Sequence, residues 1–404
     1  MRSAWRWLAT IGLAGIALFV IAACGGGGSD NESASTTTSS SGTPTVGVDD
    51  LTADFSAMAK LKPLASQGKG MIGVLLPDTT TSTRYVQYDA PNLTKAFQKA
   101  GLTSSQFKID NAHGSTSTMQ QQAEADITAG ASVLLIDPLD PGSGAAIESK
   151  AESQGVKVID YDRLVTGGPK DRYYVSFNNV QVGQLIGQGM VDCLSAWKVN
   201  KPQILVMSGA ATDNNAKLFA QGYNGVLDPK FKDGTYTKVG APAGTWDAPT
   251  AATTFEQQFT AHPNMNAVLM PNDDTNNAVV AVLQKNKVKP NTFPTTGQDA
   301  APTGLQNILL GYQCGTVYKP YFAEAQAAAA LALYLRAGKT PPSSLVNDTT
   351  KDTTLNADIK SVYTKPFWVT KENMADTVVK DGTITASALC TPKVAQACKE
   401  AGIQ

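Results

Sequence analysis

The chain has 404 residues with 33 Lys and Arg against 34 Asp and Glu, and only two His. That length exceeds one small core and suits two domains of ordinary size. The balanced charge, with no basic block beyond the N-terminus, speaks against nucleic-acid binding and a polybasic membrane patch, so a neutral ligand is expected; His113 and His262, far apart and without Cys or His at ligand spacing, give no metal site.

The first 24 residues read MRSAWRWLATIGLAGIALFVIAAC. Arg2 and Arg6 make a positive start, an apolar run follows, and Ile21-Ala22-Ala23-Cys24 fits the small-residue cleavage box of bacterial lipoproteins. The expectation is a signal peptide over 1–23 and a lipid on Cys24 that anchors an extracytoplasmic chain to the cell membrane. A permanent membrane-spanning anchor is the rival reading, because the run is nearly long enough to cross a bilayer. No basic stop-transfer flank follows it. From Gly25 to about Asp50 the chain is Gly, Ser, Thr and Asn with almost no large apolar residue. Such a stretch cannot offset its ordering entropy, and residues 24–66 are expected to form a flexible leash.

From Met71 onward short apolar runs alternate with amphipathic helical patterns. The runs read MIGVLLP, FKID, SVLLID, VKVIDYD and YYVSF, then QILVMSG, TKVGA, NAVLMPN, FPTTGQD and GTVYKP. Strand-helix alternation with nearly continuous apolar strands predicts parallel sheets covered on both faces. Two sets of about five strands predict an α/β fold of two doubly wound lobes. In such sheets ligands sit beyond the carboxyl ends of the strands. The unusual polar clusters of this chain fall there: DTTTSTRY, DR, AATDNNAK, NDD, QDA and YKP.

Each cluster mixes fixed donors with acceptors. Arg84, Arg163, Lys319, Asn215 and Asn272 supply donors, and Asp162, Asp213 and Asp299 supply acceptors. A sugar hydroxyl both donates and accepts, so such a ring satisfies it, while Tyr85 and Trp246 offer one aromatic face from each half for a pyranose. Asp and Asn after a strand are also ordinary helix N-caps, and that is the role read for Asn214, Asp274 and Thr275. Asp213 and Asp299 as a carboxylate pair would suit an exported glycoside hydrolase, the rival enzymatic reading. Neighbouring cations are expected to keep both ionised, whereas a general acid needs a raised pKa. There is no GxSxG elbow, no Walker loop and no GxGxxG after the first strand, and neither an enzyme nor a cofactor is expected.

Besides Cys24 there are Cys193, Cys314, Cys390 and Cys398. In an oxidising compartment an even count suggests two bridges, although four thiols permit three connectivities. Cys390 and Cys398 are close enough in sequence to close a short loop. Cys193 lies in an apolar helical pattern, where a free buried thiol is the alternative.

The stretches YDRLVTG, YYVSFNNVQVGQLIGQGMVD, SGAATDNNAKLFAQGYNGVL, PNDDTNNAVVAVL, TTGQDAAPTGLQNILLGYQCGTVYKP and NMADTVVKDG resemble the periplasmic D-xylose-binding proteins of bacterial ABC transporters, type I sugar-binding proteins of the ribose and galactose class. The resemblance runs from about Met71 to about Thr383. It implies two lobes joined by a three-segment hinge, the first over 67–177 and 319–345, the second over 178–318 and 346–390, with PFWVTKENMADTVVKDG crossing back near the hinge to finish on the outside and 391–404 as a C-terminal tail. It implies that Cys193 and Cys314, both in the second lobe, pair with each other. It also implies that Arg84, Asp162, Arg163, Asp213, Asn215, Asn272, Asp299 and Lys319 bind sugar hydroxyls while Trp246 stacks on the ring. The family's first loop is richer in charge and follows its arginine with Trp, whereas this chain has TTTSTRYVQ, with Tyr85 in that place. The implied function is capture of a monosaccharide, D-xylose first, by a monomeric carrier that delivers it to an ABC permease. A sensor that presents bound glucose or another sugar to a receptor is the alternative.

Overall fold

Apolar runs in the first half become parallel strands because a strand covered on both faces has no solvated side to keep polar. They are β1 (Met71–Leu76), β2 (Phe107–Asn111), β3 (Ala131–Ile136), β4 (Lys157–Tyr161) and β5 (Tyr173–Phe177) in a computed structural model that describes residues 42–403. The expected signal peptide and the lipid on Cys24 lie outside the described residues. The second half supplies β6 (Gln203–Val206), β7 (Thr237–Gly240), β8 (Ala267–Leu269) and β9 (Thr316–Tyr318), followed by β10 (Asp348–Asp352), β11 (Ala357–Thr364) and β12 (Phe367–Val369). The first sheet runs β2-β1-β3-β4-β5-β11-β10, parallel except for the β10–β11 hairpin. A second, parallel sheet runs β7-β6-β8, and β9 pairs antiparallel with β12.

Both sheets are doubly wound, and strand order reverses between β1 and β3 in one and between β6 and β8 in the other. Crevices therefore open at the carboxyl ends of these strands. The run FPTTGQD, expected as a strand, makes only isolated bridges, Thr295 to Val268 and Gln298 to Val317. Pro294 removes a ladder donor and Gly297 adds no side chain to pack, so the ladder stays broken there.

Three expected boundaries differ from the structure. The resemblance puts residues 346–390 in the second lobe, yet β11 pairs in register with β5 from Lys360–Tyr173 to Thr364–Phe177 and so extends the first sheet. The leash drawn to residue 66 ends far earlier: Val46, Leu51, Phe55, Met58, Leu61 and Leu64 are buried in the first-lobe core. Short helices at Ser56–Lys60 and Lys62–Gln67 present Met58 and Leu64, with Phe55 and Leu61 at their starts. The C-terminal tail, expected as a segment apart from the second lobe, packs on it. Val394, Cys398 and Ile403 pack with Leu305, Ile308 and Leu309, and the chain closes two disulfides, Cys390–Cys398 and Cys193–Cys314.

The Tyr321–Arg336 helix returns to the first lobe and buries almost every side chain, its alanines letting it lie close between the sheet and the N-terminal segment. In the second lobe the Asn179–Ala196 and Asn214–Lys232 helices approach through glycine. A Cβ on Gly183 would collide with the Phe219 carbonyl, and one on Gly222 with the Val180 carbonyl. That contact fixes the helix start that carries Asn215.

A fully buried ion cluster ties the loop after β4 to its surroundings. Arg172 Nε lies 3.0 Å from Asp160 and 3.5 Å from Glu148, and its Nη2 lies 3.0 Å from Asp352 of β10. Burial, and then the Asp160 charge, push the Glu148 carboxyl well above the ordinary glutamate value. A carboxyl raised on folding contributes stability that is complete below its unfolded pKa and is lost as pH rises through the folded one. Glu148→Gln should therefore flatten the decline of melting temperature between acidic and alkaline pH. Calorimetric scans of both proteins across that range test this, and parallel curves would contradict it.

Candidate functional site

The loops beyond the strand ends meet in one small pocket. Arg84 and Tyr85 follow β1, Asp162 and Arg163 follow β4, Asp213 and Asn215 follow β6, and Trp246 follows β7. Asn272 follows β8, Asp299 follows the broken FPTTGQD run, and Lys319 follows β9. All ten side chains line this pocket, joined by Thr81, Ser82, Phe219 and Gln298. Among the described residues no cluster of His, Cys, Asp or Glu is arranged to hold a metal ion.

Several of these residues do work that their place in the sequence did not disclose. Arg84 is 1% exposed and its guanidinium is largely consumed by carboxylates. Its Nε and Nη2 clamp Asp89 at 2.7 and 2.8 Å, Nη2 reaches Glu324 at 2.6 Å, and Nη1 reaches Asp162 at 2.8 Å. It is less a ligand donor than the post that aims Asp162. Burial would raise the Asp162 carboxyl, but Arg84, Lys319 and Arg163 together outweigh it and hold the group below the usual aspartate range. Burial pushes Glu324 up to about 8 against the pull of Arg84.

Asp162 has φ 58° and Asp299 has φ 93°, left-handed conformations that a residue with a Cβ adopts at a cost. Each carbonyl is pinned. The Asp162 oxygen accepts from Tyr174 Oη at 2.8 Å, Ser176 Oγ at 2.9 Å and Asn215 Nδ2 at 2.9 Å, and the Asp299 oxygen accepts from Tyr321 Oη at 2.9 Å. Asn215, expected as a ligand, thus spends an amide N–H on the backbone of the opposite lobe. Its Oδ1 accepts from Asn179 Nδ2 at 2.9 Å.

Helix caps fall on different residues from those expected. Asp213, not Asn214, caps the Asn214–Lys232 helix by accepting from the Asn215 N–H, and Asn272, not Asp274 or Thr275, caps the Asp273–Lys285 helix by accepting from the Thr275 N–H. One residue therefore both ends a loop and enters the pocket. Asn272 Nδ2 also donates to Asp299 at 3.0 Å, and Lys319 Nζ lies 3.0 Å from the same carboxylate. Asp213 accepts from Trp246 Nε1 at 3.0 Å. The indole lies against Gly209, where a Cβ would strike the ring. Burial raises the Asp213 carboxyl, and the Arg163 charge opposes the rise.

The lobes touch across the pocket. Ser82 Oγ donates to Asp299 at 3.2 Å, the Thr83 N–H donates to Asp274 at 2.9 Å, and Arg163 Nε lies 3.4 Å from Asp213. Ser82 and Gln298 lie inside the clusters DTTTSTRY and QDA but carry no role in the sequence analysis. Asp89 and Glu324 escaped it because they sit inside helical patterns, with no strand end to mark them.

Residues 72–340 match the sequence profile of the Periplasmic binding protein domain. The chain belongs to the periplasmic-binding-protein family. That family is a non-catalytic transport and receptor class, and its members work outside the cytoplasm. The D-xylose-binding periplasmic protein of Escherichia coli (strain K12) is 33% identical over 290 residues, which is 70% of this chain and 83% of that protein. The multiple sugar-binding periplasmic protein SbpA of Azospirillum brasilense is 30% identical, over 80% of this chain and 92% of that one. Among solved structures, a carbohydrate transporter solute-binding protein from Chloroflexus aurantiacus in complex with D-glucose matches with a TM-score of 0.70 at 27% identity, over 79% of this chain and 98% of that chain.

In this binding protein Lys319 is 3% exposed and stands between two buried carboxylates, 3.0 Å from Asp299 and 4.0 Å from Asp162. Lys319→Met keeps the stem and deletes the charge. It should lower unfolding free energy by about 3–5 kcal/mol, the usual cost of stranding a buried partner. Denaturant titration checks it, and a loss below about 1 kcal/mol would show the pair to be solvated.

Proposed function

We propose that this protein captures a neutral monosaccharide, D-xylose first, between its lobes and delivers it to an ABC permease while a lipid on Cys24 holds it at the membrane. The observation that carries the reading is the balance within the pocket: Arg84, Arg163 and Lys319 are each faced by carboxylates. Among the side chains that line the pocket, these three cations stand against three carboxylates, Asp162, Asp213 and Asp299, so the lining gives an ion no excess charge to pair with. Hydroxyls that donate and accept fit such a lining, and Trp246 with Tyr85 supplies ring faces for the sugar's C–H surface.

D-xylose leads because a D-xylose-binding relative is 33% identical to this chain, and glucose is the next to test because a structural relative holds it. Binding at a Kd near 1 μM corresponds to roughly −8 kcal/mol, within reach of a few charge-assisted hydrogen bonds after the cost of closure. The sugar would shift an equilibrium between open and closed lobes, and the closed form would be what the permease recognises.

Titration calorimetry with a panel of pentoses and hexoses should give micromolar binding for at least one. Arg163→Ala should weaken it by about thirtyfold, the equivalent of about 2 kcal/mol for a lost charged donor. Binding that survives Arg163→Ala unchanged would move the ligand out of this pocket. For the anchor, cells fed a labelled fatty acid should label the wild type and not Cys24→Ser, and equal labelling would refute lipidation at Cys24.

A further inference from the structure

Arg163 faces two carboxylates, one from each lobe, and they are unequally provided for. Asp213, in the second lobe, has its own supply of donors: the Asn215 N–H at 2.8 Å on Oδ1 and Trp246 Nε1 at 3.0 Å on Oδ2. These stay with it wherever the first lobe goes. Asp137 directly follows β3, is fully buried, and has no hydrogen-bond donor on either carboxylate oxygen among the described residues. Its nearest cation is Arg163, whose Nε lies 3.7 Å away, too far for a hydrogen bond, while the same Nε lies 3.4 Å from Asp213. Arg163 is rooted beside Asp137 through Nη1, which donates to the Pro138 carbonyl at 3.2 Å. An orphaned carboxyl in a dry site requires an explanation.

We propose that Asp137 is a positioning residue, the counterion that Arg163 takes when the lobes part, so that closure around a ligand exchanges Asp137 for Asp213. This rests on the sugar-binding reading and adds to it the group that opposes closure. With the second lobe withdrawn, Asp213 leaves with its two donors, and Asp137 is the carboxylate nearest the stranded guanidinium in the first lobe. Closing draws Arg163 toward the ligand and abandons Asp137 in a site of low polarity.

The charged and titratable groups facing Asp137 are Arg163 and Asp162 from the loop after β4, and Arg84, Tyr85 and Asp89 from the segment after β1. Burial dominates and pushes its carboxyl well above the ordinary aspartate range in the arrangement observed, with the Arg163 charge opposing. Loss of the Arg163 charge raises it further, so an exchange that draws Arg163 away favours proton uptake at Asp137.

Asp137→Asn keeps the shape and deletes the open-state attraction. Calorimetry on the mature chain, with the sugar the wild type binds best, should show this variant binding at least about fivefold tighter, a modest coupling between two states. Asp213→Asn should bind more weakly. A residue that merely supports the fold would weaken binding when altered, so the direction of change is diagnostic. At pH about 6, above the ordinary aspartate range, wild-type binding should take up protons, read as a heat that differs between buffers of unequal ionisation enthalpy, and Asp137→Asn should lose that difference. Unchanged or weaker binding by a folded Asp137→Asn protein overturns the proposal. Should that variant fail to fold, the wild-type buffer comparison decides: proton uptake supports the exchange, and its absence overturns it. If the wild type binds no sugar at all, the sugar reading itself falls, a result that none of the variant outcomes imitates.

Discussion

Arg84 holds Asp89, Asp162 and Glu324 together out of water, and the pocket takes its shape from that cluster. Burying such a cluster of charged groups is costly unless geometry is good and the remaining lone pairs are occupied. Here the partners come from separate parts of the chain: the turn after β1, the loop after β4, and the Tyr321–Arg336 helix that returns from the second half. These segments do not relax independently, because each contributes a carboxylate to the same buried guanidinium. The site is therefore assembled only when the crossing helix has docked. Tyr161 adds to the lock by donating to Asp89 at 2.5 Å.

Around this post the two aspartates that face the pocket are held in left-handed backbone, each with its carbonyl gripped by a tyrosine hydroxyl. Such strain persists only where surrounding contacts over-determine it. It turns each carboxylate toward the shared cavity instead of along the strand axis. The hinge side of Asp162 is read directly by the second lobe through Asn215, so the position of one lobe is registered in the backbone of the other. Helix capping contributes in the same way: Asp213 and Asn272 are fixed by the helices they start, and a fixed acceptor loses little entropy when a ligand arrives.

Much of this was legible in the chain. Apolar runs such as SVLLID and QILVMSG announce buried parallel strands, and the residue after each run announces the crevice. Less legible was what each polar residue does there. Arg84 and Asn215 read as ligand donors yet spend most of their hydrogens on Asp89, Glu324 and the Asp162 carbonyl, partners far away in sequence. Asp137 looked like the end of a strand and nothing more. β10 and β11 carry threonine, lysine and aspartate, a pattern suited to a sheet edge with one solvated side, so no apolar run marked them as part of the first sheet.

The amino-acid sequence by itself determined the α/β class, the strand ends at which function gathers, and the residue types suited to an uncharged polar ligand. These follow from local periodicity and side-chain chemistry, which act over a few residues. Tertiary structure alone decided which lobe owns the β10–β11 hairpin, where the N-terminal segment docks, and which carboxylate each cation answers to. Those choices depend on desolvation and on distances between groups more than a hundred residues apart in the chain, such as Arg84 and Glu324. No local pattern encodes them, because the energy of a buried charge is set by everything that surrounds it.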